Sequence, residues 1–236
     1  MDTDQLKQQA AWRAVEFIEN GMVVGLGAGS TAAFAIERIA DLLRDGHLRD
    51  LVGIPCSEEV AAHARRAGVP LSRLDDVTSI DITIDGADEV DAQMDLIKGG
   101  GGALLREKVV ASASAREVII VDRSKMSLHL GQRFALPIEV VPFARAVETR
   151  ALEALGAIVL LRGGDDPYLT DQRNVILDCD FGSIEHPDQL AVQLDARPGV
   201  VGHGLFIDLA TDLIVASETG VQHYSSGSDL SEVLGS

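Results

Sequence analysis

The sequence predicts an α/β protein with a mostly parallel sheet, and three observations favour this class. Apolar runs of strand length alternate with segments of helical periodicity through the first 130 residues. Hydrophobic residues make up 46% of the 236 residues but aromatic residues only 4%, so the core is built mainly from Val, Ile, Leu and Ala. A glycine turn and an aspartate follow two of the apolar runs, where ligands bind in open α/β sheets.

The first 130 residues are expected to form a Rossmann-like sheet with helices on both faces. The predicted elements are, in order, a helix over residues 3–19, a strand over 22–26, a helix over 32–43, a strand over 51–56, a helix over 57–67, and strands over 79–84 and 116–122. Asp2 or Thr3 is the expected cap of the first helix, and Ser57 that of the third.

Residues 131–205 are predicted to form a smaller inserted α+β unit, ferredoxin-like in its β-α-β-β-α order. Its strands are expected over 136–141, 157–161 and 174–178, and its helices over 144–155 and 187–194. Residues 204–207 and 212–216 are expected to return to the first sheet, so that 1–130 and 206–236 form one catalytic domain. The polar end, 225–236, is expected to be frayed.

The net charge of the chain argues against nucleic acid and anionic membranes as partners. Acidic residues outnumber basic ones by 37 to 20, which gives a net charge of −17. Such a surface repels nucleic acid and anionic membranes, so any phosphate site must be locally positive. The excess of acid is explained by solubility, and adaptation to high salt is the alternative.

Compartment and metal content are also predicted from composition. The acidic start does not resemble a signal peptide, and no apolar run reaches the roughly 18 residues that a membrane span needs. Cys56 and Cys179 belong to no metal-spaced pattern, which predicts buried thiols in a reduced cytoplasmic compartment. The six histidines are scattered, so no metal site is predicted.

Residues 27–31 (GAGST) form a glycine turn between a predicted strand and a helix. This geometry binds anions, because glycines let backbone N–H groups approach the ligand and the helix dipole adds partial positive charge. The hydroxyls of Ser30 and Thr31 supply further donors. A dinucleotide fingerprint would need glycine at position 30, and the P-loop sequence is absent. A small phosphate monoester site is therefore favoured over a plain tight turn or a dinucleotide site.

A second cluster of polar residues extends from Asp85 to Glu107. Asp85 and Asp88 bracket a Gly-Ala turn and can face one pocket, although Asp also stabilises turns. Two carboxylates about 4 Å apart repel by roughly 4 kcal/mol at a surface-like effective dielectric, so a cation such as Lys98 is needed nearby. The glycines at 99–102 cost on the order of 0.5 kcal/mol or more each relative to Ala, which favours a functional N–H concavity.

Glu107 lies in the opening turns of the helix that follows these glycines. A carboxylate there is favourable to the helix dipole whatever its role. With Lys98 opposite, it is also suited to moving a proton at a carbon next to a carbonyl. Glu107 would remove the proton, and Lys98 would stabilise the enediolate oxygen. This step needs no redox cofactor and no metal.

Six segments run in order over nearly the whole chain: GLGAGSTAA, DGADEVD, KGGGGALLREKVVA, VDRSKM, PIEVVPFA and PGVVGHGLF. They resemble the ribose-5-phosphate isomerase type A family. The resemblance implies that a phosphorylated pentose is the substrate, with D-ribose 5-phosphate and D-ribulose 5-phosphate interconverted through an enediol. It also implies a role in the non-oxidative pentose phosphate pathway, no cofactor, and a homodimer or higher homo-oligomer.

The resemblance also implies roles for single residues. Glu107 would move the proton between C1 and C2, Asp85 would assist ring opening and hydroxyl proton transfer, and Lys98 would steady the oxyanion with the glycine amides. Lys125 and Lys7 would lie near the phosphate, although Lys7 alone is typical of a solvated helix charge. The residues implied to bind substrate are Ala28, Gly29, Ser30, Thr31, Asp85, Gly86, Ala87, Asp88, Lys98, Gly99, Gly100, Gly101 and Lys125. The unit at 131–205 would be the family's lid-like domain.

Ala28 departs from the family's usual loop, which carries Thr or Ser at that position. The lost hydroxyl is worth about 0.5 to 1.5 kcal/mol, or somewhat more against a charge. The backbone N–H of Ala28 remains, so weaker substrate binding is expected and not loss of function.

Two other functions remain open at this point. The first is another sugar-phosphate isomerase or an aminosugar-phosphate deaminase on a similar sheet. The second is a non-catalytic sugar-phosphate sensor, but this acidic chain offers neither room nor a basic helix for a DNA-binding module. A sensor would also have little reason to keep Glu107 together with Lys98.

Overall fold

A six-stranded sheet forms the centre of the computed structural model, which describes residues 2–228 together with Leu230 and Leu234. The strands, in spatial order, are β13 (Gly220–Ser225), β12 (Asp212–Ser217), β6 (Glu117–Asp122), β3 (Ile82–Asp85), β1 (Val23–Leu26) and β2 (Val52–Pro55). Every neighbouring pair is parallel except β12 with β13, which was not predicted. The mostly parallel sheet is confirmed.

Helices cover both faces of this sheet. The side chains of its central strands point alternately to the two faces, and both sets are apolar and buried. The helices of this part are α1 (Thr3–Val15), α2 (Gly29–Arg44), α3 (Glu58–Ala67) and α4 (Leu104–Ser112). Val118 and Ile120 of β6 pack in the cluster that holds α1 and α2, whereas Ile119 and Val121 pack with Ala111 of α4. The central strands are buried at every position, as expected for parallel strands covered on both sides.

The smaller unit is an antiparallel sheet with two helices. Its elements are β7 (Leu136–Val140), α5 (Arg145–Ala154), β8 (Ile158–Leu161), β9 (Val175–Asp180), α6 (Pro187–Asp195) and β10 (Val200–His203). The spatial order β10-β7-β9-β8 is that of a ferredoxin-like split βαβ unit, as predicted. The sequence did not reveal β10, a short strand whose register shifts between Val200 and Gly202.

The expectation that residues 204–207 return to the first sheet is wrong. Leu205–Phe206 (β11) instead joins a three-stranded sheet with two further short strands, β4 (Glu89–Val90) and β5 (Leu96–Ile97). Leu205 pairs with Ile97, and the N–H of Lys98 donates to the carbonyl of Gly204 at 2.9 Å. This small sheet therefore fixes the chain immediately before the glycine run.

Some element ends also differ from the prediction. α1 ends at Val15 and not near residue 19, because the amides of Phe17 and Ile18 bond three residues back and close the helix with a tight turn. α2 begins at Gly29, inside the predicted anion loop. In the expected frayed end, Leu230 is buried, and residues 229, 231–233 and 235–236 lie outside the described part. Within that part, no helix has the length and hydropathy to cross a membrane.

Candidate active site

The carboxyl ends of β1, β3 and β6 bring the predicted polar residues to one edge of the sheet, as the parallel order requires. At this edge Gly27 approaches Asp85 closely. A Cβ on Gly27 would lie 2.2 Å from Oδ1 and 2.5 Å from Cα of Asp85. Only glycine at position 27 therefore lets the 27–31 loop and the end of β3 meet.

Asp85, Lys98 and Glu107 form a buried cluster behind this edge. The Lys98 ammonium lies 2.9 Å from Oδ2 of Asp85 and 3.0 Å from Oε1 of Glu107, and it also donates to the carbonyl of Gly86. None of the three side chains is more than 6% exposed. The cation predicted to hold the carboxylates together is thus Lys98, although its second partner is Glu107 and not Asp88.

Burial governs the charges of this cluster. It raises the pKa of Glu107 to about 7 against the attraction of Lys98, and the negative charge of Asp85 adds to the rise. Burial also raises the pKa of Asp85, although Lys98 and two backbone N–H groups oppose it. Burial alone would lower the pKa of Lys98, but the two carboxylates outweigh it and raise the pKa above its ordinary value. Lys98 therefore stays charged, and Glu107 is partly protonated near neutral pH.

The glycine run is held from two sides. Asp88 accepts a hydrogen bond from the N–H of Gly100 at 2.7 Å. Arg162 of the smaller unit donates to the carbonyls of Gly99 and Gly100 at 2.9 and 3.1 Å, and an ion pair with Asp178 orients its guanidinium. The loop is therefore shaped before any ligand binds.

A cavity of about 260 Å³ opens in front of the cluster. Every residue predicted to bind substrate lines it except Asp85, which is 1% exposed and lies behind Lys98. Its lining residues are Thr3, Lys7, Ala28, Gly29, Ser30, Thr31, Gly86, Ala87, Asp88, Lys98, Gly99, Gly100, Gly101, Glu107, Asp122, Ser124 and Lys125.

The other end of the cavity is formed by a helix N-terminus and two lysines. The N-terminal turn of α2 presents Ser30 and Thr31, and Lys7 and Lys125 flank it. Lys7 also lies 3.7 Å from Asp4, a weak surface contact, so its amine remains available to a ligand. A helix N-terminus with two lysines is suited to a phosphate group.

Ala28 contributes in a way that the sequence did not predict. Its N–H donates to Oδ1 of Asp85 at 3.0 Å and so is committed to the buried cluster, not to a ligand. Because Ala28 is also the residue before α2, one peptide group links the N-terminus of α2 to the buried carboxylate of Asp85.

Cys56 lies against the cluster and was missed as a site residue, although its burial was predicted. Its Sγ and one oxygen from each of Asp85 and Glu107 lie within 4.8 Å of one another. Burial and these two carboxylates raise the pKa of the thiol well above its ordinary value, so it remains neutral. Both of these carboxylates are already ion-paired with Lys98.

Three lining residues, Thr3, Asp122 and Ser124, were also missed. Asp122 ends β6 as Asp85 ends β3, so the rule about strand ends could have found it. It accepts hydrogen bonds from the N–H and hydroxyl of Ser124 and so fixes the turn that carries Lys125.

The fold and the cavity together define an α/β enzyme for a small phosphorylated substrate, with an acid–lysine–acid cluster at one end of the cavity and an anion site at the other. The profile described as "Ribose 5-phosphate isomerase A (phosphoriboisomerase A)" matches residues 52–220. The chain belongs to this family.

Individual relatives agree with the family profile. Ribose-5-phosphate isomerase A of Chloroflexus aurantiacus is 57% identical over 226 residues, which cover 95% of each chain. The protein of that name from Desulfatibacillum aliphaticivorans is 54% identical over 221 residues, 93% of this chain and 96% of its own.

Solved structures extend the similarity to the fold. A D-ribose-5-phosphate isomerase in complex with phospho-erythronic acid superposes with a TM-score of 0.94 at 38% identity, over 95% of this chain and all of the other. The ribose 5-phosphate isomerase of Plasmodium falciparum gives 0.92 at 37% identity with the same coverage.

Proposed function

We propose that this chain interconverts D-ribose 5-phosphate and D-ribulose 5-phosphate in the cavity described above, with Glu107 as the group that moves the proton. The observation that carries the proposal is the contact of Lys98 with Glu107 and Asp85 at the buried end of a cavity whose other end is an anion site.

Proton transfer follows from the charges at the buried end. The Glu107 carboxylate removes the proton from C2 of the open-chain aldose and returns it to C1, while the hydroxyl proton on O2 is transferred to O1. The C1 carbonyl thereby becomes a hydroxyl and the C2 hydroxyl becomes the carbonyl of the ketose. A base with a pKa near 7 is matched to neutral pH, since it is partly ionised before the step and a good acid after it. The ammonium of Lys98 stabilises the negative charge that develops on the sugar oxygen in a site with little water.

Ring opening is assigned to the two aspartates. Asp88 lines the cavity and offers a carboxylate to the sugar hydroxyls, while its other contact fixes Gly100. Asp85 lies behind Lys98, so it assists through that lysine by holding the ammonium in place and balancing its charge.

The phosphate is assigned to the N-terminal turn of α2, with Ser30 and Thr31 as donors and Lys7 and Lys125 as the opposing charges. A similar isomerase is found in complex with phospho-erythronic acid, which supports a phosphorylated ligand for this chain. That molecule carries a phosphate at one end and a carboxylate at the other, and a carboxylate has the planar two-oxygen shape of an enediolate.

The test is an assay with D-ribose 5-phosphate on protein treated with a chelator and without added cofactor, following ketose formation. We expect turnover, and competitive inhibition by phospho-erythronic acid. Lack of turnover on this substrate, with turnover on a different phosphorylated aldose, would contradict the substrate assignment.

We also propose that residues 131–205 act as a separate, lid-like unit against the domain formed by 1–130 and 206–236. Arg162 and Tyr168 of this unit reach the carbonyls of the glycine run, the latter at 3.4 Å from Gly101. A shift of the unit would therefore move the loop that faces the substrate.

A homodimer or higher homo-oligomer is proposed from the apolar surface of the same unit. Ile158 and Leu160 lie on one face of the edge strand β8, where they are 68% and 67% exposed. An exposed apolar edge strand favours pairing with another chain. Light scattering of the wild type and of Ile158→Glu tests this, and a monomeric wild type would contradict it.

A cytoplasmic location is proposed from the two cysteines. Cys56 and Cys179 are both buried free thiols, which a reducing compartment preserves.

A further inference from the structure

Lys108 lies outside the cavity, whereas the other three lysines of the chain, Lys7, Lys98 and Lys125, line it. It follows Glu107 directly on α4, but its side chain lines a separate pocket of about 140 Å³ and its amine lies over the ring of Phe206. The proposed isomerase mechanism has no use for this amine.

The contacts of Lys108 resemble those of an activated nucleophile. Its Nζ lies 3.3 Å from Nδ1 of His203, and Nε2 of the same ring lies 3.1 Å from a carboxylate oxygen of Asp195. The order carboxylate, imidazole, nucleophile is the one by which a positioned base activates a weak nucleophile.

The backbone fixes the tautomer that this order requires. The N–H of Leu205 donates to Nδ1 of His203 at 3.3 Å, so Nδ1 carries a lone pair and the proton lies on Nε2, facing Asp195. Burial, with the nearby charge of Lys108, lowers the pKa of His203 to about 4. The ring is therefore neutral at physiological pH and faces the amine with an acceptor.

No carboxylate lies within ion-pair distance of Lys108 in the described part of the chain. The charged or titratable groups near it are His203 and Asp195 from the smaller unit and Lys98, whose amine also lies over the ring of Phe206. Burial lowers the pKa of Lys108 to about 8 against the attraction of Asp195. A substantial fraction of the amine is thus uncharged near neutral pH, unlike an ordinary lysine.

The pocket indicates what would react there. Leu105, Val109 and Val201 form apolar walls around the amine, and Val109 is 45% exposed, so the pocket is open to solvent. A volume of about 140 Å³ admits an acetyl-sized group and excludes long chains.

We propose that Lys108 is a site of covalent acylation by small activated acyl donors, with His203 and Asp195 as its activating pair. The amine lone pair attacks the acyl carbon, the C–N bond forms, and the bond to the leaving group breaks. With acetyl phosphate the leaving group departs as phosphate with the bonding electrons. The proton lost by the amine passes to Nδ1 of His203 and from there to solvent.

The test compares the four lysines within one protein. The full chain is incubated with acetyl phosphate at pH 7.5, and acetylation of each lysine is followed over time by peptide mass spectrometry. We expect Lys108 to react about tenfold faster than Lys125, because burial lowers the pKa of Lys108 to about 8 and leaves much of its amine uncharged. The rate at Lys108 should level off above about pH 8. Equal or slower reaction at Lys108 than at Lys125, or a Lys108 rate that keeps rising well above pH 8, would overturn the proposal.

Two variants and a second acyl donor test whether Lys108 reacts because His203 activates it or only because it is accessible to solvent. His203→Gln removes the ring base and should bring the Lys108 rate towards that of Lys125; an unchanged rate would contradict the role of His203. Lys108→Arg should abolish this modification while isomerase activity and Tm stay close to wild type. An acetyl thioester should give the same ranking of lysines as acetyl phosphate. A ranking that changes with the donor would place the selectivity in the reagent and contradict the proposal.

Discussion

The two ends of the cavity bind charge in opposite ways. At the buried end, Asp85, Lys98 and Glu107 are almost without solvent, and the charge of each depends on the other two. At the anion end, Lys7 and Lys125 lie at a helix terminus beside the exposed Ser30, where water screens each charge separately. Substitutions at the buried end should therefore have large, non-additive effects, and those at the anion end smaller, additive ones.

The largest effect is expected for Lys98→Met. Two carboxyls would remain buried without their cation, their pKa values would rise further, and Glu107 would be protonated at neutral pH. We expect kcat/KM to fall by about 10²–10³-fold with the fold retained. Because the residues act as a unit, the double variant Lys98→Met/Glu107→Gln should be little worse than the poorer single variant. Losses that multiply, or a collapse of thermal stability, would contradict a shared catalytic role.

A matched pair of glycine substitutions separates loop structure from ligand contact. Gly102 has φ +82°, and a Cβ there would lie 2.4 Å from the hydroxyl of Tyr168, so Gly102→Ala should cost about 2–3 kcal/mol of stability. Gly101 has no atom within 4 Å of a Cβ, so Gly101→Ala should change stability by less than about 0.5 kcal/mol. Thermal unfolding of both checks this. An increase in KM for Gly101→Ala alone would report direct contact with substrate.

At the anion end, Lys125→Gln and Lys7→Gln should each raise KM by about tenfold, the loss of one charge-assisted contact to phosphate. Their effects should multiply in the double variant, and kcat should change little. Steady-state kinetics at two salt concentrations measure this, since added salt should reduce the difference between wild type and variants. A fall in kcat with unchanged KM would show that the substituted lysine acts on the chemical step and does not bind the phosphate.

The smallest effect concerns pH. Because the pKa of Glu107 is raised to about 7 and the base must be ionised, kcat/KM should fall as pH drops below about 7. The negative charge of Asp88 contributes to that raised pKa, so Asp88→Asn should move this limb of the profile to lower pH. Asparagine can still accept from the N–H of Gly100, which preserves the loop. A limb that stays in place would show that another group controls it.

Much of this site could be predicted from the sequence, because its residues belong to short local motifs at the ends of strands and the starts of helices. Asp85 follows an alternating strand, residues 27–31 separate a strand from a helix, and Glu107 follows a glycine run. Local pattern places each of these at one edge of a parallel sheet. That rule also reaches Asp122, which went unnoticed only because it was not applied to β6.

The remainder depends on contacts between distant segments. Arg162 reaches the glycine run from 62 residues away, and Cys56, which follows β2, approaches Asp85 of β3 across the intervening strand β1. The two-residue strands β4, β5 and β11 are too short to show periodicity. The sequence therefore could not predict the small sheet that fixes the backbone at Lys98. The burial that raises the pKa of Glu107 to about 7 is likewise a property of the packed structure.

The central claim is that Glu107 carries the proton between C1 and C2. Its most direct test is exchange of the C1 hydrogen of D-ribulose 5-phosphate in deuterated water, followed by NMR for the wild type and Glu107→Gln, with phospho-erythronic acid affinity as the control for binding. We predict that Glu107→Gln loses exchange and turnover together by about 10²–10⁴-fold, while inhibitor affinity changes by no more than a few-fold. Exchange at the wild-type rate in Glu107→Gln would contradict the account.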